Sequence, residues 1–340
     1  MSQPWPSVNF CGQCGSKLSG DEHFCGDCGA RLGATGDPVP VDVPASAAPS
    51  SVPGALDGVV AQFQRLPFAA LLPLQSWASD AWWRQGRSAL FLLMALAPFA
   101  LLQATSEDAD VERSAVGFAV YFAILWLVAI RELVQPEPLG WSVVAGISAF
   151  TAIAGVALAV AVEEQLGAST DDPFSSILTV GLPEEAAKAA AVLIFLMIGR
   201  GRWSPRTYLY AGAVSGLAFG AAEAVTYTTA YASFLDLEGG LAVTLWRLLC
   251  GSLFHACMAG IVAFFVGLGA WHRDVLWHLV VVGLLIAGVL HGLYNYFSDG
   301  WGGAVLAALT VFTFVGYART GDRIAARLTA SSAMPTAATQ

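Results

Sequence analysis

Charge is what this sequence has least of. Only 12% of its 340 residues are Asp, Glu, Lys or Arg, while 56% are hydrophobic. Soluble domains carry about twice that charged fraction, so most of the chain is to be solvated by lipid. A recognisable covalent nucleophile is also missing, because no serine or cysteine stands in a pattern with a base. No secretory leader is expected before the first hydrophobic span, since the N-terminus is cysteine-rich and polar, then proline-rich. No repeat relates the two halves, and no nucleic-acid partner is expected. The formal net charge of −9 says little alone, because the signs are segregated along the chain.

Cysteine is sparse and clustered. Four of the six cysteines fall in the first 28 residues as Cys11-x-x-Cys14 and Cys25-x-x-Cys28, each pair followed by glycine. Such paired knuckles set four thiolates around one structural Zn²⁺, so residues 8–33 are expected to form a zinc ribbon. Two disulfides would need an oxidising compartment, which the topology below argues against. The ribbon is too small for an enzyme and suits a cytoplasmic protein partner. Residues 34–84 are a Pro/Ala/Ser-rich linker and juxtamembrane segment, in which Trp77, Trp82 and Trp83 beside Arg84 and Arg87 suit the headgroup layer.

Hydropathy then predicts eight spans, at about 88–104, 115–131, 141–162, 175–199, 207–231, 243–270, 275–297 and 301–318, each near the ~20 residues needed to cross a bilayer. The expected fold is an all-α polytopic membrane protein of about eight transmembrane helices, preceded by the ribbon and a disordered linker. Its membrane domain covers 85–320, and 321–340 forms a tail. Arginines flank one side of the spans (Arg84, Arg87, Arg131, Arg200, Arg202, Arg206, Arg273, Arg319, Arg323, Arg327). The other side holds Glu107, Asp108, Asp110, Glu112, Glu163, Glu164, Asp171, Asp172, Asp236, Glu238 and Asp299, with only Arg113 basic there. Basic flanks stay cytoplasmic, so the expectation is a multi-pass plasma-membrane protein with both termini inside.

Against that apolar background seven ionisable side chains lie within spans: Glu184, Glu185, Lys188, Glu223, Arg247, His255 and His291. A charge at membrane depth is costly and ordinarily faces a protein-lined site. Gly181 and Pro183 are expected to break the fourth span, so that a half-helix begins with both carboxylates in its first turn. In a soluble protein, Pro183 followed by Glu184 would be an ordinary helix start and Glu184–Lys188 an ordinary i, i+4 pair. Gly212, Gly216 and Gly220 make a smooth face for close packing, with Glu223 beside it. Arg247, Gly251 and His255 share one face of span six, and His291 and Asn295 share one face of span seven. Cys250 and Cys257 read as small buried hydrophobes, and His272 and His278 as interfacial. Counted at ~1.5 Å per residue, Glu184, Glu223, His255 and His291 all fall towards the acidic side of the membrane, which implies one polar cavity.

Glu184-Glu185-x-x-Lys188, Phe219-x-x-x-Glu223, His255 and His291-x-x-x-Asn295 together resemble the PrsW intramembrane proteases, which are similar to the type II CAAX prenyl endopeptidases. The resemblance spans about residues 85–320. Ala224 stands where family members often carry Asn, and Lys188 closes the first motif as in the PrsW branch. The resemblance implies hydrolysis of a membrane-anchored protein, such as an anti-sigma factor, by an activated water. It assigns the general base to Glu184 or Glu185, the holding of the water to Glu223 and His255, and the oxyanion donors to His291 and Asn295. A catalytic divalent metal, Zn²⁺ in the first instance, is left open, since a purely glutamate-driven mechanism uses the same residues. Two other classes stand beside this one. A proton-coupled transporter also buries Glu, His, Arg and Lys, although only span four carries a clear break where inverted repeats would give two. An inactive membrane receptor with the ribbon as its output is the third.

Overall fold

The computed structural model describes residues 86–104, 111–198, 203–230, 240–298 and 300–333. The expected zinc ribbon with Cys11, Cys14, Cys25 and Cys28, and the linker after it, lie outside these residues. The chain divides into two compact units. Leu74–Arg319 carries the helices and the ionisable cluster; the other joins Met1–Pro73 to Thr320–Gln340, and its described part is the C-terminal stretch of the last helix.

The elements formed by the described residues are all helical, with no strand among them. In chain order they form α1 (Gly86–Ala104), α2 (Val111–Val134), α3 (Trp141–Phe150), α4 (Val156–Leu166), α5 (Pro173–Ser176) and α6 (Leu182–Ile198). Then come α7 (Pro205–Ala230), α8 (Gly240–Trp271), α9 (Leu276–Tyr296) and α10 (Trp301–Ala333). A π-helical turn, Thr151–Gly155, fuses α3 to α4, and another, Ile177–Gly181, fuses α5 to α6. Among the described residues six helical segments are long and apolar enough to cross a membrane: Val116–Val134, Trp141–Leu166, Pro205–Thr226, Leu248–Trp271, Arg273–Tyr296 and Trp301–Leu328. The two remaining expected spans are helical as well. One has a shorter apolar stretch, Ala89–Ala100, and the other carries Glu184, Glu185 and Lys188.

The expected break at Gly181–Pro183 is instead a continuous helix with a widened turn. The Leu182 N–H reaches back to the Ile177 carbonyl, an i→i−5 bond, and Pro183, which has no N–H to offer, follows directly. Such π turns recur at functional sites. Here the turn lies against α9 so closely that a methyl on Gly181 would collide with the Gly288 carbonyl. A methyl on Gly292 would collide with the Ile177 backbone, and Ser176 Oγ donates to the Gly292 carbonyl at 2.7 Å.

The centre of the unit is the pair α7–α8. Gly212, Gly216 and Gly220 line the seam: added methyls would strike the Ala259 carbonyl, the His255 carbonyl and, at 2.8 Å, the His255 ring. Lipid offers no hydrophobic drive for helix association, so close backbone contact of this kind carries much of it. Residues 254–270 of α8 are buried at nearly every position. Val116, Val120, Ile124 and Val128 of α2, spaced by four, form an exposed stripe suited to lipid. Cys257 is buried and Cys250 half-buried, both as free thiols. Arg247 lies on α8, but its side chain is outside the described residues.

Candidate active site

Four helices deliver ionisable side chains to one point. Glu184, Glu185 and Lys188 come from α6, Glu223 from α7, His255 from α8 and His291 from α9. Glu185 and Lys188 are completely buried, and His291 is 2% exposed.

Lys188 is the hub. Its Nζ donates to Glu184 Oε2 at 3.0 Å and to Glu185 Oε1 at 2.8 Å, and lies 2.8 Å from His255 Nδ1. Nζ also stands 4.3 Å from the centre of the Phe219 ring, a favourable cation–π placement. The fully desolvated ammonium thus has all three protons engaged. The Lys188 backbone carbonyl accepts from Ser215 Oγ at 2.9 Å, and Ser215 Oγ lies 2.8 Å from Thr151 Oγ1 at the first π turn.

Each imidazole is oriented by its own carboxylate. His255 Nε2 lies 2.7 Å from Glu223 Oε2, and His291 Nδ1 lies 2.9 Å from Glu185 Oε1. An ionised carboxylate only accepts, so these contacts place the ring protons on His255 Nε2 and His291 Nδ1. The opposite nitrogens then present lone pairs. They converge on one oxygen: Glu184 Oε2 is 3.8 Å from His255 Nδ1 and 3.7 Å from His291 Nε2.

Glu184, His255 and His291 each offer an atom within 4.8 Å of the others, a set of two imidazoles and one carboxylate suited to Zn²⁺. Metal-ligating histidines ordinarily donate their second N–H to a carboxylate, which is the arrangement of both pairs here. With neutral imidazoles, three carboxylates and one ammonium leave a charge of −2, which a divalent cation neutralises. His255 Nδ1 has a single lone pair, so Lys188 and a cation compete for it. By donor chemistry, tautomer and charge, the residues fit the metal.

The structure therefore brings together Glu184, Glu185, Glu223, His255 and His291. Asn295, one turn beyond His291, is half-buried, and its amide makes no hydrogen bond to these groups among the described residues. Glu223 is paired with His255 on the neighbouring helix. Reading the sequence did not add Glu163 to the site. This residue, near the end of α4, interacts electrostatically with Glu184, Glu223, His291 and Lys188. Among the described residues its buried Oε1 has no hydrogen-bond partner, nor has Glu185 Oε2. Its position four residues after Ala159, on the face that packs against α6 and α7, is the signal that could have found it.

A polytopic helical membrane protein with a buried Glu/His/Lys centre is the class that this fold and site define. The chain belongs to the PrsW family of intramembrane metalloproteases, whose family model matches residues 137–318, a stretch that includes every member of the cluster. It is accordingly a peptidase. No curated protein and no solved structure matches the chain.

Proposed function

We propose that the protein hydrolyses a peptide bond of a membrane-anchored protein at the Glu184–His255–His291 centre, with water as nucleophile. The observation that carries this reading is the pairing of each imidazole with a carboxylate, which turns the second nitrogen of each ring towards Glu184 Oε2.

Glu184 Oε2, His255 Nδ1 and His291 Nε2 would hold a divalent cation, with Zn²⁺ best matched to the donors. Bound there, such an ion lowers the pKa of water and polarises a carbonyl. Glu223 and Glu185 fix the two imidazole tautomers. Glu185 Oε1 accepts from Lys188 and from His291, while Oε2 is buried and unpartnered. That lone pair is suited to take a proton from the attacking water, which separates the two adjacent glutamates into ligand (Glu184) and base (Glu185). The Glu185 bond on Nδ1 favours the metal over the oxyanion as the partner of His291. Asn295, whose amide makes no hydrogen bond among the described residues, remains suited to donate to the oxyanion.

The arginine-rich flanks argue for both termini in the cytoplasm of a plasma-membrane protein, with the centre nearer the outer face. A bond close to the outer end of a substrate span is then the natural target, as in a membrane-anchored regulator such as an anti-sigma factor. Residues 8–33 would bind a structural Zn²⁺ through Cys11, Cys14, Cys25 and Cys28 and recruit a cytoplasmic partner.

The test is N-terminal peptide mapping of membrane proteins from cells expressing wild type or the Glu184→Gln/Glu185→Gln variant. New termini near the outer end of a span, present only with wild type, are expected. Identical maps at equal abundance, with the inducing stress applied, would overturn the reading.

A further inference from the structure

The helices α4, α6 and α7 meet in a contact layer formed by Ala159, Ala187 and Phe219, which are 2%, 2% and 2% exposed. Side chains three or four residues apart share a helix face. Moving one turn from this layer, towards the connection 167–172, each helix presents a carboxyl group. Glu163 stands four residues after Ala159, Glu184 three before Ala187, and Glu223 four after Phe219. Glu184 and Glu223 belong to the centre already described. Glu163 occupies the third position of the same tier and interacts with Glu184, Glu223, His291 and Lys188 across it.

The end of α4 fixes this placement. Gly167 adopts the left-handed conformation (φ 66°) that glycine takes without strain. The Ala168 N–H then closes on the Glu163 carbonyl at 2.9 Å, so the helix stops one turn beyond Glu163. The side chain is half-buried, with Oε1 shielded from solvent and without a hydrogen-bond partner among the described residues.

Hydrolysis of an amide needs a proton for the leaving nitrogen. In the centre every nitrogen-bound proton is engaged until a cation takes His255 Nδ1. Lys188 gives three, His255 gives Nε2–H to Glu223, and His291 gives Nδ1–H to Glu185. With the cation in place the Lys188 ammonium has one proton to spare and is still held by Glu184 and Glu185. Charge points the same way. A divalent cation and Lys188 balance Glu184, Glu185 and Glu223, which leaves Glu163 as the carboxyl of the tier without a cation of its own among the described residues. The charged groups that act on it electrostatically are Glu184 and Lys188 from α6, Glu223 from α7 and His291 from α9, with Glu164 next to it on its own helix.

We propose that Glu163 is the general acid that protonates the leaving amine; the proposal rests on the hydrolytic reading above. As the C–N bond of the tetrahedral adduct breaks, its electron pair goes to nitrogen, which takes the proton of the Glu163 carboxyl. The proton lost by the attacking water goes to the base and then to solvent, and Glu163 regains one from water at its half-exposed rim. The sum is amide plus water to carboxylic acid plus amine.

The experiment uses the full-length protein in liposomes and a synthetic single-span peptide containing the bond mapped above, made with either an amide or an ester there. An ester oxygen departs with far less need of a proton. Glu163→Gln should lower kcat on the amide by about 10²- to 10⁴-fold, leave KM unchanged and leave ester cleavage nearly intact, and Glu163→Asp should recover part of the amide rate. Equal losses on amide and ester would overturn the assignment, and so would an effect confined to KM, which would make Glu163 a substrate-binding residue. Glu184→Gln, run alongside, loses both substrates if the hydrolytic reading holds. If it retains both, that reading fails, and the Glu163 assignment is still decided by its own amide-to-ester ratio.

Discussion

Glu223 and His255 stand 2.7 Å apart on neighbouring helices, and this contact decides which nitrogen of the imidazole is free. With its Nε2 proton given to Glu223, His255 turns a lone pair at Nδ1 towards Lys188 and Glu184. Replacing the carboxylate removes that direction without touching a ligand. Glu223→Leu, which leaves no acceptor for Nε2–H, is expected to weaken zinc binding and activity by about 10- to 100-fold while the protein stays folded. Chelator competition on the purified variant measures it, and unchanged affinity would mean that the tautomer is set elsewhere.

The two adjacent glutamates should separate cleanly. Glu184→Gln is expected to lose both metal and proteolysis. Glu185→Gln should keep measurable zinc yet lose cleavage by about 10²- to 10⁴-fold, because its unpartnered oxygen is the one suited to accept the water proton. Metal content and cleavage measured on the same preparations decide this. Loss of metal in both would make Glu185 a ligand or support of the ion rather than the base.

Lys188 holds two buried carboxylates, and removing one partner of such a set ordinarily costs about 3–5 kcal/mol. Lys188→Met is expected to destabilise the protein by about that much in thermal unfolding. Added Zn²⁺ should then raise the unfolding temperature more than in wild type, because the ion supplies the missing positive charge and no longer competes for His255 Nδ1. A smaller zinc response than wild type would contradict that competition.

The glycine seam gives a steric prediction. Gly216→Ala pushes a methyl into the His255 carbonyl, and Gly292→Ala pushes one into the Ile177 backbone, whereas Gly251 has nothing within 4 Å. The first two should each cost about 1–3 kcal/mol and reduce cleavage by moving His255 or His291. Gly251→Ala, on the same helix as His255, should be tolerated in both assays. Equal behaviour of all three would show that the helices part readily.

Much of this arrangement was legible because charge is so rare here. Against an apolar background, Glu184, Glu185, Lys188, Glu223, His255 and His291 stood out one by one, and alternating flanks put them near one end of the bundle. Helical segments lie at all eight expected places, and the four-residue glycine interval marked a close-packing face, whose partner α8 only the structure shows. What periodicity could not supply is the rotation of one helix against another. Hence the partner of Glu223, the hub position of Lys188 and the two carboxylate–imidazole pairs emerged only in three dimensions. Gly181 and Pro183 suggested a broken helix, but a π turn absorbs the missing Pro183 donor without a break. Glu163 was hidden by its place near the end of a span, where it counted with the acids of a connection.

The central claim is that Glu184, His255 and His291 hold the catalytic ion. Zinc-edge X-ray absorption on the full-length chain, with Cys11, Cys14, Cys25 and Cys28 replaced by serine, tests it most directly. The account predicts one zinc with only nitrogen and oxygen ligands, at roughly 2.0–2.2 Å, in protein that still cleaves, and its loss in Glu184→Gln. Fully active protein without a bound transition metal would contradict the account and return the chemistry to the glutamates alone.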